Sequence, residues 1–293
     1  MYNSIREISV ISPLKHSSFV KKITGGILMK RLEGRVAIVT GAGMGLGSGI
    51  ALRLAEEGAK VACVDLKPEA AEDTVAKIKE SGGEAAAFKC DVSNGSEVEA
   101  MVKAVVEKYG KVDELVNNVG VSTEARNKWR ITDLTEEAWD FLLNVNLKSV
   151  FLTTKYTVPE MIKNGGGSIV NISSLAGLLP NFGAGYGAAK AGQIAFTKST
   201  AVQYADYGIR CNVICPGAMD TPGGVSASGK GIFKNHNQHR SRMINDRAGL
   251  PEDIAAAVAF LLSDDASFIT ATTLSIDGGA LTLLTEIPKI EEE

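Results

Sequence analysis

Long uninterrupted hydrophobic runs are missing from this chain of 293 residues, although 45% of its residues are hydrophobic. A helix that spans a bilayer needs about 18 or more apolar residues in succession, so we expect no membrane segment and no membrane partner. An excess of one charge is also missing, since 31 Lys and Arg stand against 34 Asp and Glu. This balance argues against a nucleic-acid partner. A soluble, cytoplasmic protein that binds a small molecule is expected.

Cysteine and histidine are sparse, with four and three residues. None of the cysteines has the spacing of a CxxC pair or of a Cys/His metal site; they are Cys63, Cys90, Cys211 and Cys215. All four lie within or beside apolar runs. We therefore expect buried free thiols, a reducing compartment and no metal.

A break in composition is also absent after the first thirty residues. Residues 31–293 are therefore predicted to form one domain. Residues 1–30 carry five basic residues, one acidic residue and several serines, and we expect this N-terminal extension to be disordered. It is either an organelle-targeting presequence or the product of an upstream start codon, with the native protein beginning at Met29.

What the chain does contain is a regular alternation of short apolar strands and amphipathic helices. Strands are predicted at 36–40, 60–65, 85–90, 113–117, 168–173, 209–214 and 273–277. Helices are predicted at 45–57, 68–81, 95–109, 135–163, 184–206 and 251–262, with Pro68 and Pro251 at helix starts. This order implies an α/β fold, a single doubly wound (Rossmann) domain with a seven-stranded parallel sheet flanked by helices. Its ligand is expected at the carboxyl ends of the strands.

The first strand runs directly into a glycine-rich loop and then a helix, as in dinucleotide-binding folds. Gly41 permits the tight turn, and Gly45 and Gly47 allow the helix start to approach a pyrophosphate. Met44 and Leu46 complete the predicted cofactor loop.

Asp65 ends the second strand, where an acidic side chain accepts hydrogen bonds from the adenosine ribose. A carboxylate at this point would repel a 2′-phosphate. Met44 stands where an NADP-binding arginine could stand, and Lys67 is the only cation nearby in the sequence. The pattern therefore favours NAD over NADP.

Tyr186 precedes Lys190 by one helical turn, so both side chains are expected on one helix face. A nearby ammonium group stabilises a phenolate and lowers the pKa of the phenol. Tyr186 could then exchange a proton with an alcohol or a carbonyl group. The same spacing is also common on exposed helix surfaces.

Further motifs follow in order: Asp91-Val92, Asn117-Asn118-Val119-Gly120, Asn146, Ser174, YGAAK and CPGAMDT. With the glycine loop, they make the chain resemble the short-chain dehydrogenases/reductases from about Leu32 to Gly279. The resemblance implies transfer of a hydride between NAD(H) and a secondary alcohol or ketone. It also implies a homo-oligomer, either a dimer or a tetramer.

The resemblance further implies a role for each matching residue. Tyr186 is the expected catalytic acid/base, Lys190 tunes it and holds the nicotinamide ribose, and Ser174 orients the substrate oxygen. Asn146 matches the asparagine that anchors a water in a proton relay. The remaining expected cofactor contacts are Asp91, Val92, Asn118, Gly120, Met219 and Thr221.

Three positions depart from the family pattern. The interval from Ser174 to Tyr186 is one residue short, whereas Ser173 has the usual spacing. We favour Ser174 because it ends the predicted strand, and Ser173 remains the alternative. Val119 replaces a small alanine, and Ala271 replaces a glycine.

The substrate is expected to be shaped by the loops 121–134 and 222–248, which carry several cations. These cations either bind an anionic substrate or face water. Two other functions remain open: an NADPH-linked 3-oxoacyl thioester reductase and a non-catalytic NAD-binding protein. Asp65 argues against the first, and the presence of Tyr186 and Lys190 against the second.

Overall fold

A computed structural model describes residues 30–122, 131–179, 183–222 and 247–282. Seven parallel strands form one sheet in the order β3-β2-β1-β4-β5-β6-β7. They are β1 (Val36–Thr40), β2 (Lys60–Asp65), β3 (Glu84–Lys89), β4 (Glu114–Asn117), β5 (Gly167–Ile172), β6 (Ile209–Pro216) and β7 (Thr273–Ile276). The predicted α/β fold with a seven-stranded parallel sheet is confirmed.

Seven α-helices connect these strands within the described ranges. They are α1 (Gly45–Glu56), α2 (Pro68–Glu80), α3 (Gly95–Tyr109), α4 (Glu136–Leu143), α5 (Ser149–Lys163), α6 (Ala184–Gln203) and α7 (Pro251–Leu262). Helices α1, α2 and α7 pack on one face of the sheet, and α3, α5 and α6 pack on the other. Because both faces are covered, β1 is buried at every position and reads as a continuous apolar run.

Local signals set the helix ends. Pro68 and Pro251 lie at the first helical positions of α2 and α7, as predicted. The Asn94 side chain accepts a hydrogen bond from the backbone N–H of Ser96 and caps α3. Gly110 ends the same helix with a φ of 83°. No described helix is long and apolar enough to cross a membrane.

The stretch predicted as a helix over 135–163 is helical from Glu136 to Lys163, but it consists of α4 and α5 with a π-turn at Asn144–Lys148 between them, which was not predicted. One continuous α-helix and two α-helices joined by a π-turn have a similar hydrophobic period, so the extra residue of the π-turn is hard to detect in the sequence. Side chains hold the wider turn. Asn146 Nδ2 donates to Leu142 O at 2.9 Å, and Ser149 Oγ donates to Val145 O at 2.6 Å.

All four cysteines are buried free thiols, as predicted. Burial raises the pKa of the thiols of Cys63, Cys90 and Cys211 to about 12. These thiols are therefore protonated at neutral pH and pack as small apolar side chains.

Candidate active site

A cleft of about 1170 Å³ opens at the carboxyl ends of the strands, where the sequence predicted a ligand site. Most of the predicted site residues line it: Gly41, Met44, Gly45, Leu46, Asp65, Asp91, Val92, Asn118, Gly120, Ser174, Tyr186, Lys190, Met219 and Thr221. Gly47 and Asn146 lie behind its wall, and Ser173 also reaches it. The structure thus brings together residues from seven separate sequence segments.

The glycine loop leaves a cradle at the start of α1. Gly41 has a φ of 64° and Gly45 a φ of 58°, conformations that favour glycine. A Cβ on Gly47 would lie 2.0 Å from the carbonyl oxygen of Gly41, so any side chain there would break the turn. Thr221 borders the cradle, since a Cβ added to Gly45 would lie 3.4 Å from the Cβ of Thr221.

The Asp65 carboxylate is fixed at the edge of this cradle by two backbone groups. The N–H of Gly43 donates to Oδ2 at 2.9 Å, and the N–H of Lys67 donates to Oδ1 at 3.0 Å. A Cβ on Gly43 would lie 2.8 Å from Oδ2 and 2.6 Å from the Cβ of Ala70. Sequence reasoning missed Gly43, whose requirement arises from the distant Asp65 and is not visible locally.

Asn118 and Asp91 shape the adjoining wall. The Asn118 amide donates to the carbonyl oxygens of Thr40 at 3.0 Å and Gly41 at 3.3 Å, which joins the ends of β1 and β4. Asp91 Oδ1 accepts hydrogen bonds from the backbone N–H and the hydroxyl of Ser93. Both side chains therefore stabilise the wall of the cleft through backbone contacts.

Tyr186 and Lys190 lie on one face of α6, as their spacing predicted. Lys190 Nζ is 5.7 Å from the centre of the Tyr186 ring and donates to Ile172 O at 2.8 Å. The Lys190 side chain is buried, and burial lowers the pKa of its ammonium group to about 7. The site therefore disfavours the charged form of this lysine relative to an exposed one.

The two serines at the end of β5 have different partners. Ser173 is buried, and its hydroxyl donates to the Lys190 carbonyl oxygen at 2.8 Å. Ser174 Oγ accepts from the N–H of Ala176 at 3.1 Å, which uses one of its lone pairs and not its proton. The hydroxyl proton of Ser173 is thus committed to the protein, and that of Ser174 is the better donor for a ligand.

Asn146 is buried in the π-turn and clamps the chain that follows β4. Its Oδ1 accepts from the N–H of Val121 at 3.0 Å, and its Nδ2 donates to Val121 O at 3.0 Å. A Cβ on Gly120 would lie 3.3 Å from both Asn146 Oδ1 and Lys190 Nζ. Gly120 therefore lets Asn146 and Lys190 approach the same point of the backbone.

The cleft also has an apolar wall. Phe141, Val145, Leu179 and Met219 line it, beside the polar Asn144 and Lys148, and the first three were not predicted from the sequence. Residues 123–130 and 223–246, which include the cations of the predicted substrate loops, lie outside the described residues.

The residues present fit a nicotinamide dinucleotide. The cradle at the start of α1 suits a pyrophosphate, and Asp65 suits a ribose diol. Tyr186, Lys190 and Ser174 lie together on the other side of the same cleft.

Comparison with known proteins finds oxidoreductases among the relatives of this chain. A family model described as Enoyl-(Acyl carrier protein) reductase matches residues 41–281. The chain is 39% identical to a 3-oxoacyl-(acyl-carrier-protein) reductase of Thermotoga maritima, over 85% of this chain and 98% of that protein. It is also 39% identical to a cyclohexanol dehydrogenase of Acinetobacter sp., over 86% of this chain and 97% of that protein.

Solved structures agree with these relatives. A Burkholderia xenovorans protein assigned to the short-chain dehydrogenases/reductases superposes with a TM-score of 0.79 at 38% identity. The match covers 87% of this chain and 99% of that one.

Proposed function

The chain belongs to the short-chain dehydrogenase/reductase family, whose nicotinamide-dependent oxidoreductases act on alcohols and ketones, and we propose that it uses NAD(H) to interconvert a secondary alcohol and its ketone. The observation that carries the proposal is one cleft with Asp65 at one end and the Tyr186–Lys190 pair at the other.

Asp65 supports the preference for NAD. The orientation of its carboxylate is fixed, because each oxygen accepts a hydrogen bond from a backbone N–H group. A 2′-phosphate at this point would meet a fixed negative charge, whereas a ribose diol would donate to it. In this proposal, Gly41, Gly45 and Asn118 form the surface that the dinucleotide contacts, and Gly47 permits the turn behind that surface.

The acid/base group in this proposal is Tyr186. Gly41, Gly45 and Asp65 would hold NAD, which would supply the acceptor for the hydride of the carbinol carbon. The Tyr186 phenolate takes the hydroxyl proton of the alcohol, and the hydroxyl of Ser174 donates to the same oxygen and orients it. The positive charge of Lys190, 5.7 Å from the ring centre, favours the phenolate.

Asn146 completes the proposed catalytic group as the anchor of a proton relay. Its amide is fixed on both atoms by Val121, and its oxygen lies beside the point where Lys190 Nζ approaches Gly120. A water held in this region would connect the buried ammonium group to solvent.

The apolar wall favours an uncharged, compact substrate such as a cyclic secondary alcohol, the class that the Acinetobacter relative is named for. The second candidate is an NADPH-linked 3-oxoacyl thioester reductase, which the Thermotoga relative favours. Asp65 opposes it through its charge.

The test is a panel of cyclic and linear secondary alcohols, ketones and 3-oxoacyl thioesters, assayed with NAD and NADP by nicotinamide absorbance. Turnover with NAD and loss of that turnover in Tyr186→Phe are expected. Tyr204→Phe, one residue past the end of α6, is the matched control and should retain full activity. Turnover of thioesters with NADPH alone would favour the second candidate, and NAD binding without any turnover would favour a non-catalytic role.

We also propose a cytoplasmic homo-oligomer, a dimer or a tetramer. An apolar groove of about 530 Å³ lies beside α5 and α6 and includes Leu147, Phe151 and Phe196. Phe151 is 45% exposed in the single chain, and a second copy would cover it. Light scattering of the wild-type protein and of Phe151→Glu would test this assembly. The N-terminal extension predicted over 1–30 lies outside the described residues, apart from Lys30.

A further inference from the structure

Gln193 is a buried polar residue of α6 that the proposed chemistry does not use. Its side chain is fully buried, and its Nε2 donates to the backbone carbonyl oxygen of Asn146 in the π-turn. Among the described residues, its Oε1 has no hydrogen-bond partner. Exchanging the two amide atoms would set Oε1 against the Asn146 carbonyl, so the donor must face the turn.

A methionine of similar length would fill this space without a buried, unsatisfied acceptor. Gln193 therefore keeps one buried acceptor without a partner among the described residues, and such a feature is expected where a polar group serves function. Its contribution here is to occupy a carbonyl in the π-turn, where the helical hydrogen-bond pattern is interrupted.

A chain of hydrogen bonds connects Gln193 to the sheet. Thr197 Oγ1 donates to Gln193 O at 2.8 Å and accepts from Asn171 Nδ2 at 2.8 Å, which joins α6 to β5. Asn171 in turn accepts from Asn117 of β4 at 2.9 Å. Gly192 allows the close approach of the two helices, since a Cβ there would lie 2.8 Å from Leu147 Cδ2.

We propose that Gln193 is a positioning residue that holds the π-turn and thereby keeps the Asn146 amide on Val121, beside Lys190. The catalytic part of this inference rests on the proposed function. A return of the turn to α-helical spacing would rotate Asn146 by about 100°, the angle per residue of an α-helix, and would separate it from Val121.

The variants that test this role are Gln193→Met, which removes the donor, and Thr200→Val, the matched control. Thr200 is buried in the same helix, and its hydroxyl donates only to Phe196 O among the described residues, at 2.9 Å. Gln193→Glu is the conservative variant, because a protonated carboxyl group can donate to the Asn146 carbonyl and an ionised one cannot.

Three quantities are measured in each variant: kcat and KM against pH, the Kd for NAD, and amide hydrogen exchange over residues 142–150. In Gln193→Met, we expect kcat to fall at least tenfold, KM and Kd to change less than twofold, and the acid limb of kcat to move to higher pH. Exchange over 142–150 should be at least tenfold faster. Thr200→Val should show none of these changes, and Gln193→Glu should regain kcat relative to Gln193→Met as the pH falls.

The result that overturns the inference is a Gln193→Met variant whose kcat and pH profile match those of Thr200→Val, whatever its melting temperature. Unchanged exchange over 142–150 would also overturn it. If the wild-type protein turns over no alcohol or ketone, the proposed function fails. Faster exchange in Gln193→Met would then still support the hold of Gln193 on the π-turn.

Discussion

Replacement of Glu114 by glutamine should stabilise the protein in a strongly pH-dependent way. Glu114 opens β4 at the amino edge of the sheet, is fully buried, and has no partner for either carboxylate oxygen among the described residues. The cations that act on it are Arg35 and Arg210, and the anions are Asp113 and Asp264. The Arg210 guanidinium donates instead to backbone carbonyls, including those of Leu261 and Ser263.

Burial raises the pKa of the Glu114 carboxyl group from 4.5 to about 8. Below pH 4.5 the group is protonated in both states, and its contribution to stability is fully present. As the pH rises, the unfolded state releases its proton first, so this stability is lost until the pH passes 8. At about 1.4 kcal/mol per pKa unit, the loss is about 3 kcal/mol at pH 7 and up to about 5 kcal/mol above pH 8.

Urea unfolding of wild type and Glu114→Gln, at one fixed protein concentration and at pH 5, 7 and 9, measures this effect. The variant should gain less than about 1 kcal/mol at pH 5 and about 3 to 5 kcal/mol at pH 9. Glu99→Gln, an exposed position on α3, is the control and should give a flat difference. A gain from Glu114→Gln that does not grow between pH 5 and 9 would refute the argument that the folded protein holds a neutral carboxyl group.

Three further predictions concern single side chains. Lys190→Met should lower kcat about 10²- to 10⁴-fold and remove an ionisation near pH 7 from the kcat/KM profile, and a step that persists there would contradict the pKa of about 7. Asp65→Ala should raise kcat/KM with NADP relative to NAD at least tenfold, and an unchanged ratio would exclude its role in the choice. Ala271 is the one non-glycine residue with positive φ among those described, at 58°. Ala271→Gly should therefore raise the unfolding free energy by about 0.5–1 kcal/mol in urea titrations. A lower unfolding free energy would show that packing of the Ala271 methyl group outweighs the backbone strain.

The sheet and most helices could be predicted because their signals are local. Strands covered on both faces read as apolar runs, and proline and glycine mark the helix ends. The π-turn could not be predicted, since besides its local bonds it depends on distant partners: Val121 holds the Asn146 side chain, and Gln193 holds its carbonyl. Hydrophobic periodicity contains no information on either bond.

The same distinction applies to the site. The glycine loop and the Tyr186–Lys190 pair are short motifs, and the structure places them in one cleft. Gly43 and Gln193 could not be predicted, because each is required by a residue in another element. Gly43 contacts Asp65, and Gln193 donates to Asn146. The spacing of the serines pointed to Ser173 and the strand end to Ser174. Their hydrogen-bond partners distinguish the two hydroxyl groups: Ser173 donates to Lys190 O, and Ser174 accepts from the N–H of Ala176.

Charged side chains at the two edges of the sheet differ in their hydrogen-bond partners. We therefore expect substitutions at the carboxyl edge to change activity and those at the amino edge to change stability alone. At the carboxyl edge, backbone N–H groups hold the Asp65 carboxylate and a carbonyl accepts from Lys190, so these groups are oriented before a ligand arrives. At the amino edge, Glu114 has no such partner within the described part of the chain and does not line the cleft. Glu114→Gln should therefore add stability without any change in kcat, whereas neutralising Lys190 would relieve a buried charge at the expense of turnover. A joint measurement of unfolding free energy and kcat in both variants would distinguish a cost that serves the reaction from one that does not.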